Sequence, residues 1–146
     1  MTRMKNTKEI LMIKAVVFDL DGTLLHTVPD IAAAMNRALS ASGLPTHDQK
    51  TVETFLGNGI RDAVVKAVPA DTAEETIQNV LDLYRDDYVA HCTDQTTLYD
   101  GVREMVDAFV ERGIRLVVLS NKTEATAQKI VRHFFPNGEF TAAFGR

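Results

Sequence analysis

The sequence is poor in cysteine, tryptophan and proline. Its 146 residues hold one cysteine (Cys92), no tryptophan and four prolines. A single thiol excludes an intrachain disulfide. With four scattered histidines (His26, His47, His91, His133) it makes no zinc-ligand spacing, so a reducing cytoplasm is the expected location. No apolar run approaches the ~18 residues of a membrane span. The polar, basic stretch 1–9 leads into apolar residues 10–13, but Lys14 interrupts this short of signal-peptide length and no small-residue cleavage site follows. Residues 1–12 are assigned to an N-terminal extension, expected to be disordered to residue 11, with Met12 as an alternative start. A basic excess is also lacking. The net charge is −4 and the pI about 5.5, so neither nucleic acid nor an anionic membrane is expected as a partner. No internal repeat or low-complexity segment stands out. What is present, 45% hydrophobic and 25% charged residues, is ordinary globular composition. The length suits one domain, or one small domain carrying an insertion.

The most informative stretch is 15–25. Ala15 to Phe18 is a short apolar run rich in β-branched and aromatic residues, which reads as a strand buried on both faces. Asp19 and Asp21 follow directly, with Gly22 behind them. Burying carboxylates costs several kcal/mol unless they are paired or metal-bound, so a strand ending in Asp-x-Asp points to the mouth of a site. In extended chain, residues two apart share a side. Asp19 is held by the strand, and the turn at Gly22 leaves Asp21 looser. One carboxylate can attack while the other handles protons, and Mg²⁺ between them would offset their repulsion. The plainer alternative is an acidic turn after a core strand.

Along the chain, Pro29 opens a helix whose stripe is Ile31, Met35 and Leu39, closed at Ser42-Gly43. Thr46-x-x-Gln49 looks like a capping box opening a helix to about Phe55. Gly57-Asn58-Gly59 breaks the pattern. A third helix spans 60–68, and Asp71-x-x-Glu74 opens a longer one with Ile77, Val80, Leu81, Tyr84 and Tyr88 on one face. Residues 92–99 read as a polar, irregular linker. A helix from Gly101 turns Val102, Met105, Val106, Phe109 and Val110 inward. Gly113 caps it, and 114–119 is a second buried strand. Ser120-Asn121-Lys122 forms the next turn, Thr123 caps a helix carrying Ala127, Ile130, Val131 and Phe134, and 140–144 forms a third strand. The expected fold is α/β: a doubly wound, parallel-sheet, Rossmann-like core with an inserted all-helical cap. The core is assigned to 13–26 and 96–146, the cap to 27–95.

Two further features carry chemistry. The Ser120 hydroxyl and the N–H groups at the following helix start can form an anion site, although Ser-Asn is also a common turn and cap. In Gly57-Asn58-Gly59 the glycines allow left-handed backbone and close ligand approach. Arg61 just behind could offer its fork to an anion. An ordinary helix–helix turn is the alternative.

The string Phe18-Asp19-Leu20-Asp21-Gly22-Thr23-Leu24 resembles motif I of the haloacid dehalogenase superfamily of phosphohydrolases. A strand ending in Ser120 resembles its motif II. With Pro29-Asp30, Leu56-Gly57-Asn58-Gly59, Leu98-Tyr99-Asp100-Gly101 and Leu119-Ser120-Asn121-Lys122, the chain is similar to the phosphoglycolate phosphatase branch over about residues 13–145. His26-Thr27 stands where the branch usually has Asp-Ser, and Asp100 where proline is usual; neither is expected to touch the chemistry. The superfamily's downstream lysine and acidic pair are not reached, so the C-terminal core strands are expected to be missing. The chain is read as a fragment or a truncated copy. Lys122 is read as starting its helix toward solvent, the alternatives being a phosphate contact or a partial replacement for that lysine.

The resemblance implies a Mg²⁺-dependent phosphatase acting on a small phosphorylated metabolite through an aspartyl-phosphate. Asp19 would be nucleophile and metal ligand. Asp21 would be general acid/base, its backbone carbonyl reaching the metal. Ser120, Asn121 and Lys122 would bind phosphate, and Gly57, Asn58, Gly59 and Arg61 the substrate. The alternatives are an inactive remnant that at most binds phosphate, and a sugar-phosphate mutase. The apolar first strand, left as a sheet edge, invites self-association.

Overall fold

The structure is a computed structural model that describes residues 12–146. The extension expected at 1–12 therefore lies, apart from Met12, outside the described residues. The chain runs through β1 (Ala15–Phe18), β2 (Leu25–His26), α1 (Val28–Ala41), α2 (Gln49–Phe55), α3 (Ile60–Ala67), α4 (Glu74–His91), β3 (Thr97–Leu98), α5 (Val102–Glu111), β4 (Arg115–Leu119), α6 (Glu124–Phe134) and β5 (Phe140–Phe144).

Three strands form a parallel sheet in the order β1-β4-β5. Phe18 pairs with Val118, so β1 and β4 end side by side and the residues after them, Asp19 and Ser120, emerge at one edge. This is the carboxyl end of the sheet, where open α/β folds bind ligands. Val16 and Phe18 on β1 pack into the core that holds Leu116 and Val118 of β4 and Ala143 of β5. That is the face covered by helices: Phe18 meets Phe109 of α5, and Arg103 of α5 donates to Glu139 and to the Phe134 carbonyl at the end of α6. Both crossovers run the same way along the sheet, and right-handed connections place both helices on one side.

The opposite parity is open. Val17 is 61% exposed, and Leu119 and Phe144 lie exposed as well. The expectation of a first strand buried on both faces is thus corrected. Alternation sends every second side chain to a face that no described element covers.

Helices α1 to α4 form a block between the two halves of the core. Ile31, Met35 and Leu39 on α1 are buried, as are Ile77, Val80, Leu81, Tyr84 and Tyr88 on α4. Both stripes lie where the helical period places them. Arg37 of α1 grips Asp87 of α4 through two N–H donors, at 2.8 and 2.6 Å.

The chain leaves the core through β2 and returns through β3, which pair antiparallel as Leu25 with Leu98 and His26 with Thr97. The linker reading of 92–99 misses this ribbon, because two-residue strands are too short to show alternation. Beside it, Asp30 in the first turn of α1 is only 1% exposed. Its carboxylate accepts from the Gln95 N–H, the Thr96 N–H and the Thr96 hydroxyl at 2.7–3.0 Å. Entry to the helical block and exit from it are tied at one point.

Several local expectations are corrected. α2 is capped by Asp48, which accepts from the Thr51 N–H at 2.8 Å, and not by Thr46. That bond holds the Asp48 carboxyl below its ordinary range. α4 begins at Glu74 with Ala73 in the cap position and no side-chain cap. Thr123 occupies the cap position of α6, but its hydroxyl bonds that of Thr126. Val110 is exposed.

Candidate active site

The site begins with the turn after β1. Leu20 is fully buried and its carbonyl accepts from the N–H groups of Leu24 and Leu25 at 3.1 Å. The chain doubles back at Gly22, which has φ +71°, a left-handed conformation that glycine adopts without strain. This anchored turn leaves Asp19 and Asp21 on either side of a buried leucine. Asp19 is exposed, and its Oδ1 accepts from the Leu20 N–H at 2.7 Å. Asp21 is held more firmly. Its Oδ1 accepts from the Thr27 hydroxyl at 2.5 Å and meets the Lys122 ammonium at 3.0 Å, while its Oδ2 has no partner among the described residues.

The turn after β4 supplies the facing wall. Ser120 is buried, its N–H bonded to the Phe144 carbonyl and its Oγ accepting from the Lys122 N–H at 3.2 Å. Gly145 lies so close to the next turn that a Cβ there would sit 2.4 Å from the Glu124 nitrogen and the Lys122 carbonyl; only glycine fits. Asp19, Ser120 and Asn121 line a common cavity of about 340 Å³ with Gly145 and Arg146. A larger adjoining cavity, about 720 Å³, is lined by Asp19, Asp21, Asn121 and Lys122 from the core and by Thr27 at the start of α1. The helical block adds Val28, Ile31, Leu56, Gly57, Gly59, Ile60, Tyr84, Arg85 and Tyr88.

The structure therefore brings together Asp19, Asp21, Ser120, Asn121, Lys122, Gly57 and Gly59. Asn58 and Arg61 are not among the lining residues. Arg61 turns away to pair with Glu74 at the start of α4, because α3 places that side chain on the flank facing α4's first turn.

Lys122 does not face solvent, contrary to expectation. Its side chain is 10% exposed, bonded to Asp21 and, at 2.7 Å, to the Tyr88 hydroxyl. Thr27, not expected to touch the chemistry, donates to Asp21 because the turn at Gly22 returns the chain to it. The hydroxyl retained at 27, where the branch has serine, was the available signal. Tyr88 and Arg85 are further additions; their places on α4 become relevant only once the block folds over the core. Burial pushes the phenols of Tyr88 and Tyr84 far above their ordinary range, with smaller contributions from neighbouring anions including Asp21. Both are neutral hydrogen-bonding groups at any working pH.

No group of three or more His, Cys, Asp or Glu side chains gathers into a metal cage among the described residues. Two oxygens are of the kind a hard cation takes: the Asp19 carboxylate and the Asp21 main-chain carbonyl, which accepts no hydrogen bond among the described residues. Mg²⁺ takes one or two carboxylates and completes its shell with water and phosphate oxygens. The donor set fits that ion.

A parallel sheet with paired aspartates at the end of its first strand, a serine turn at the end of the next and helices inserted between them is the order that the motif resemblance implies. The sequence model of the haloacid dehalogenase-like hydrolases matches residues 16–145, and the chain belongs to that family. Among individual relatives, it is 36% identical over 126 residues to a phosphoglycolate phosphatase of Nitrosospira multiformis, covering 84% of this chain and 56% of that one. It is 32% identical over 122 residues to an N-acetylmuramic acid 6-phosphate phosphatase of Pseudomonas aeruginosa, covering 84% and 54%. The crystal structure of a predicted phosphoglycolate phosphatase from Haemophilus somnus superposes with a TM-score of 0.83 at 28% identity, covering 91% of this chain and 62% of that one. The chain thus spans a little over half the length of these curated relatives.

Proposed function

We propose that this chain carries the catalytic aspartates and the cap of a Mg²⁺-dependent phosphatase for a small, phosphoglycolate-like phosphate monoester. The observation that carries this reading is that Asp19 lines one cavity with Ser120 and Asn121 and another with a tethered Asp21, beneath a helical lid. In the first step Asp19 attacks phosphorus, the ester P–O bond breaks, and Asp21 gives its proton to the departing alkoxide. In the second step Asp21 takes a proton from water as that water cleaves the aspartyl-phosphate, releasing phosphate and restoring Asp19. The Ser120 hydroxyl and the Asn121 N–H hold equatorial phosphoryl oxygens. Asp19 and the Asp21 carbonyl would hold Mg²⁺, which supplies charge neutralisation at the phosphoryl oxygens. We place the protein in the cytoplasm, in keeping with its one buried cysteine.

Recognition of the substrate's carboxylate passes from Arg61 to Arg85. Arg85 lines the larger cavity, and its bond to Asp82 is long, at 3.5 Å, whereas Arg61 is committed to Glu74. Gly57 and Gly59 let backbone approach the same end of the substrate. Arg85→Ala is expected to raise KM for 2-phosphoglycolate about tenfold, the worth of a charge-assisted hydrogen bond. KM for p-nitrophenyl phosphate, which has no carboxylate, should hardly move, and Arg61→Ala should have the smaller effect on both. Equal effects of Arg85→Ala on the two esters would remove Arg85 from this role.

Self-association is proposed through β1, whose outer edge has no described neighbour and whose Val17 lies open. Sedimentation should show mass rising with concentration, and Val17→Lys should suppress the rise. A monomer at all concentrations would refute it.

A further inference from the structure

Three parts of the protein meet at the Lys122 ammonium. It reaches Asp21 at 3.0 Å and the Tyr88 hydroxyl at 2.7 Å, and lies 4.4 Å from the centre of the Tyr88 ring. Its own main-chain N–H holds the Ser120 hydroxyl. Asp21 and Ser120 belong to the core, Tyr88 to α4 of the helical block. A nearly buried ammonium has little water to solvate it, so these partners carry its charge. Tyr88 is itself a rigid surface, stacked on Tyr84 with ring centres 5.5 Å apart and planes within 8°. A second lysine from the core, Lys129 on α6, donates to the Val89 and Ala90 carbonyls at the end of α4, where a cation also suits the helix dipole. The last turn of α4 is held to the core twice, once inside the site and once outside it.

We infer that Tyr88 and Lys122 form a latch through which the docked position of α4 fixes the orientation of Asp21. The inference rests on the reading of Asp21 as the proton carrier. With α4 docked, Lys122 and Thr27 both hold Oδ1, leaving Oδ2 to serve the leaving group and then the water. When α4 lifts to admit substrate, Lys122 loses the phenol that steadies its ammonium against Asp21, and that half of the tether loosens. Proton transfer is thereby confined to the closed cavity, where bulk water is excluded. Lys122 and Tyr88 are positioning residues, acting through Asp21.

The test is steady-state kinetics of the full chain with Mg²⁺ on 2-phosphoglycolate, whose alkoxide leaving group needs the proton that Asp21 supplies, together with urea unfolding of the same variants. Tyr88→Phe keeps the ring and loses only the hydroxyl. It should lower kcat about tenfold, a fraction of what an acid/base group contributes, and change KM less than about twofold. Lys122→Met should lower kcat further, and the double variant should be no slower than Lys122→Met alone. Multiplying losses, or an effect confined to KM, would overturn the latch. A chain that hydrolyses nothing would refute the phosphatase reading instead, and unfolding then decides the latch. Asp21→Asn and Tyr88→Phe should be non-additive in stability when Lys122 is present and additive in the Lys122→Met background. Additivity in both would overturn it.

Discussion

Asp19→Asn should lower kcat toward phosphate esters by about 10⁴-fold or more, the scale on which loss of a nucleophile is felt. Asparagine keeps the size of the side chain and an oxygen that can still accept from the Leu20 N–H, so the turn is expected to survive. What disappears is the anionic oxygen that attacks phosphorus. The neutral amide is also a poorer partner for a hard cation. Unfolding curves should coincide for the two proteins, because Asp19 is exposed and, among the described residues, its side chain makes one hydrogen bond, to its neighbour. Asp21→Asn makes a useful contrast. It disturbs the contacts to Thr27 and Lys122, so it should cost stability as well as rate. Equal hydrolysis by wild type and Asp19→Asn would mean that any activity arises elsewhere.

The largest expected effect on stability lies away from the chemistry. Asp30→Ala should destabilise the fold by about 3 kcal/mol, read from the urea midpoint. The carboxylate is buried and receives three donors, two of them backbone N–H groups. An unsatisfied buried donor costs about 1–3 kcal/mol, and some of these will regain water as the loop relaxes. The loss also unties the point where the chain enters and leaves the helical block, beside the β2–β3 ribbon. Cap docking should loosen with it. Asp30→Asn keeps one acceptor but turns an amide donor toward other donors, so it should fall between wild type and alanine. A change below about 1 kcal/mol for Asp30→Ala would show that the pin is dispensable.

These two residues illustrate what the sequence makes legible. Asp19 and Asp21 stand out because a four-residue apolar strand ends in them and a glycine follows; local pattern and local chemistry agree. The stripes of α1 and α4 are legible because 3.6-residue periodicity survives in Ile31, Met35 and Leu39 and in Ile77, Val80, Leu81, Tyr84 and Tyr88. Asp30 is noted only as part of a motif, since nothing near it in sequence announces that Gln95 and Thr96 will come to it. Lys122 is misjudged for the same reason. A lysine at a helix start faces solvent unless a carboxylate and a phenol from distant segments converge on it. Arg61 shows the same limit from the other side: a cation beside a glycine loop suggests an anion site, and nothing near it in sequence announces the pairing with Glu74. The exposed parity of β1 follows from which faces the neighbouring elements cover, a property of packing that four residues cannot encode.

The proposed mechanism requires Asp19 to become phosphorylated during turnover. Rapid quenching of the full chain with 2-phosphoglycolate and Mg²⁺, followed by borohydride reduction and peptide mass spectrometry, tests this directly, because reduction converts an acyl phosphate to homoserine. Homoserine is expected at position 19 and an unmodified aspartate at 21. Substrate turnover with position 19 left as aspartate, or modification at 21 instead, would contradict it.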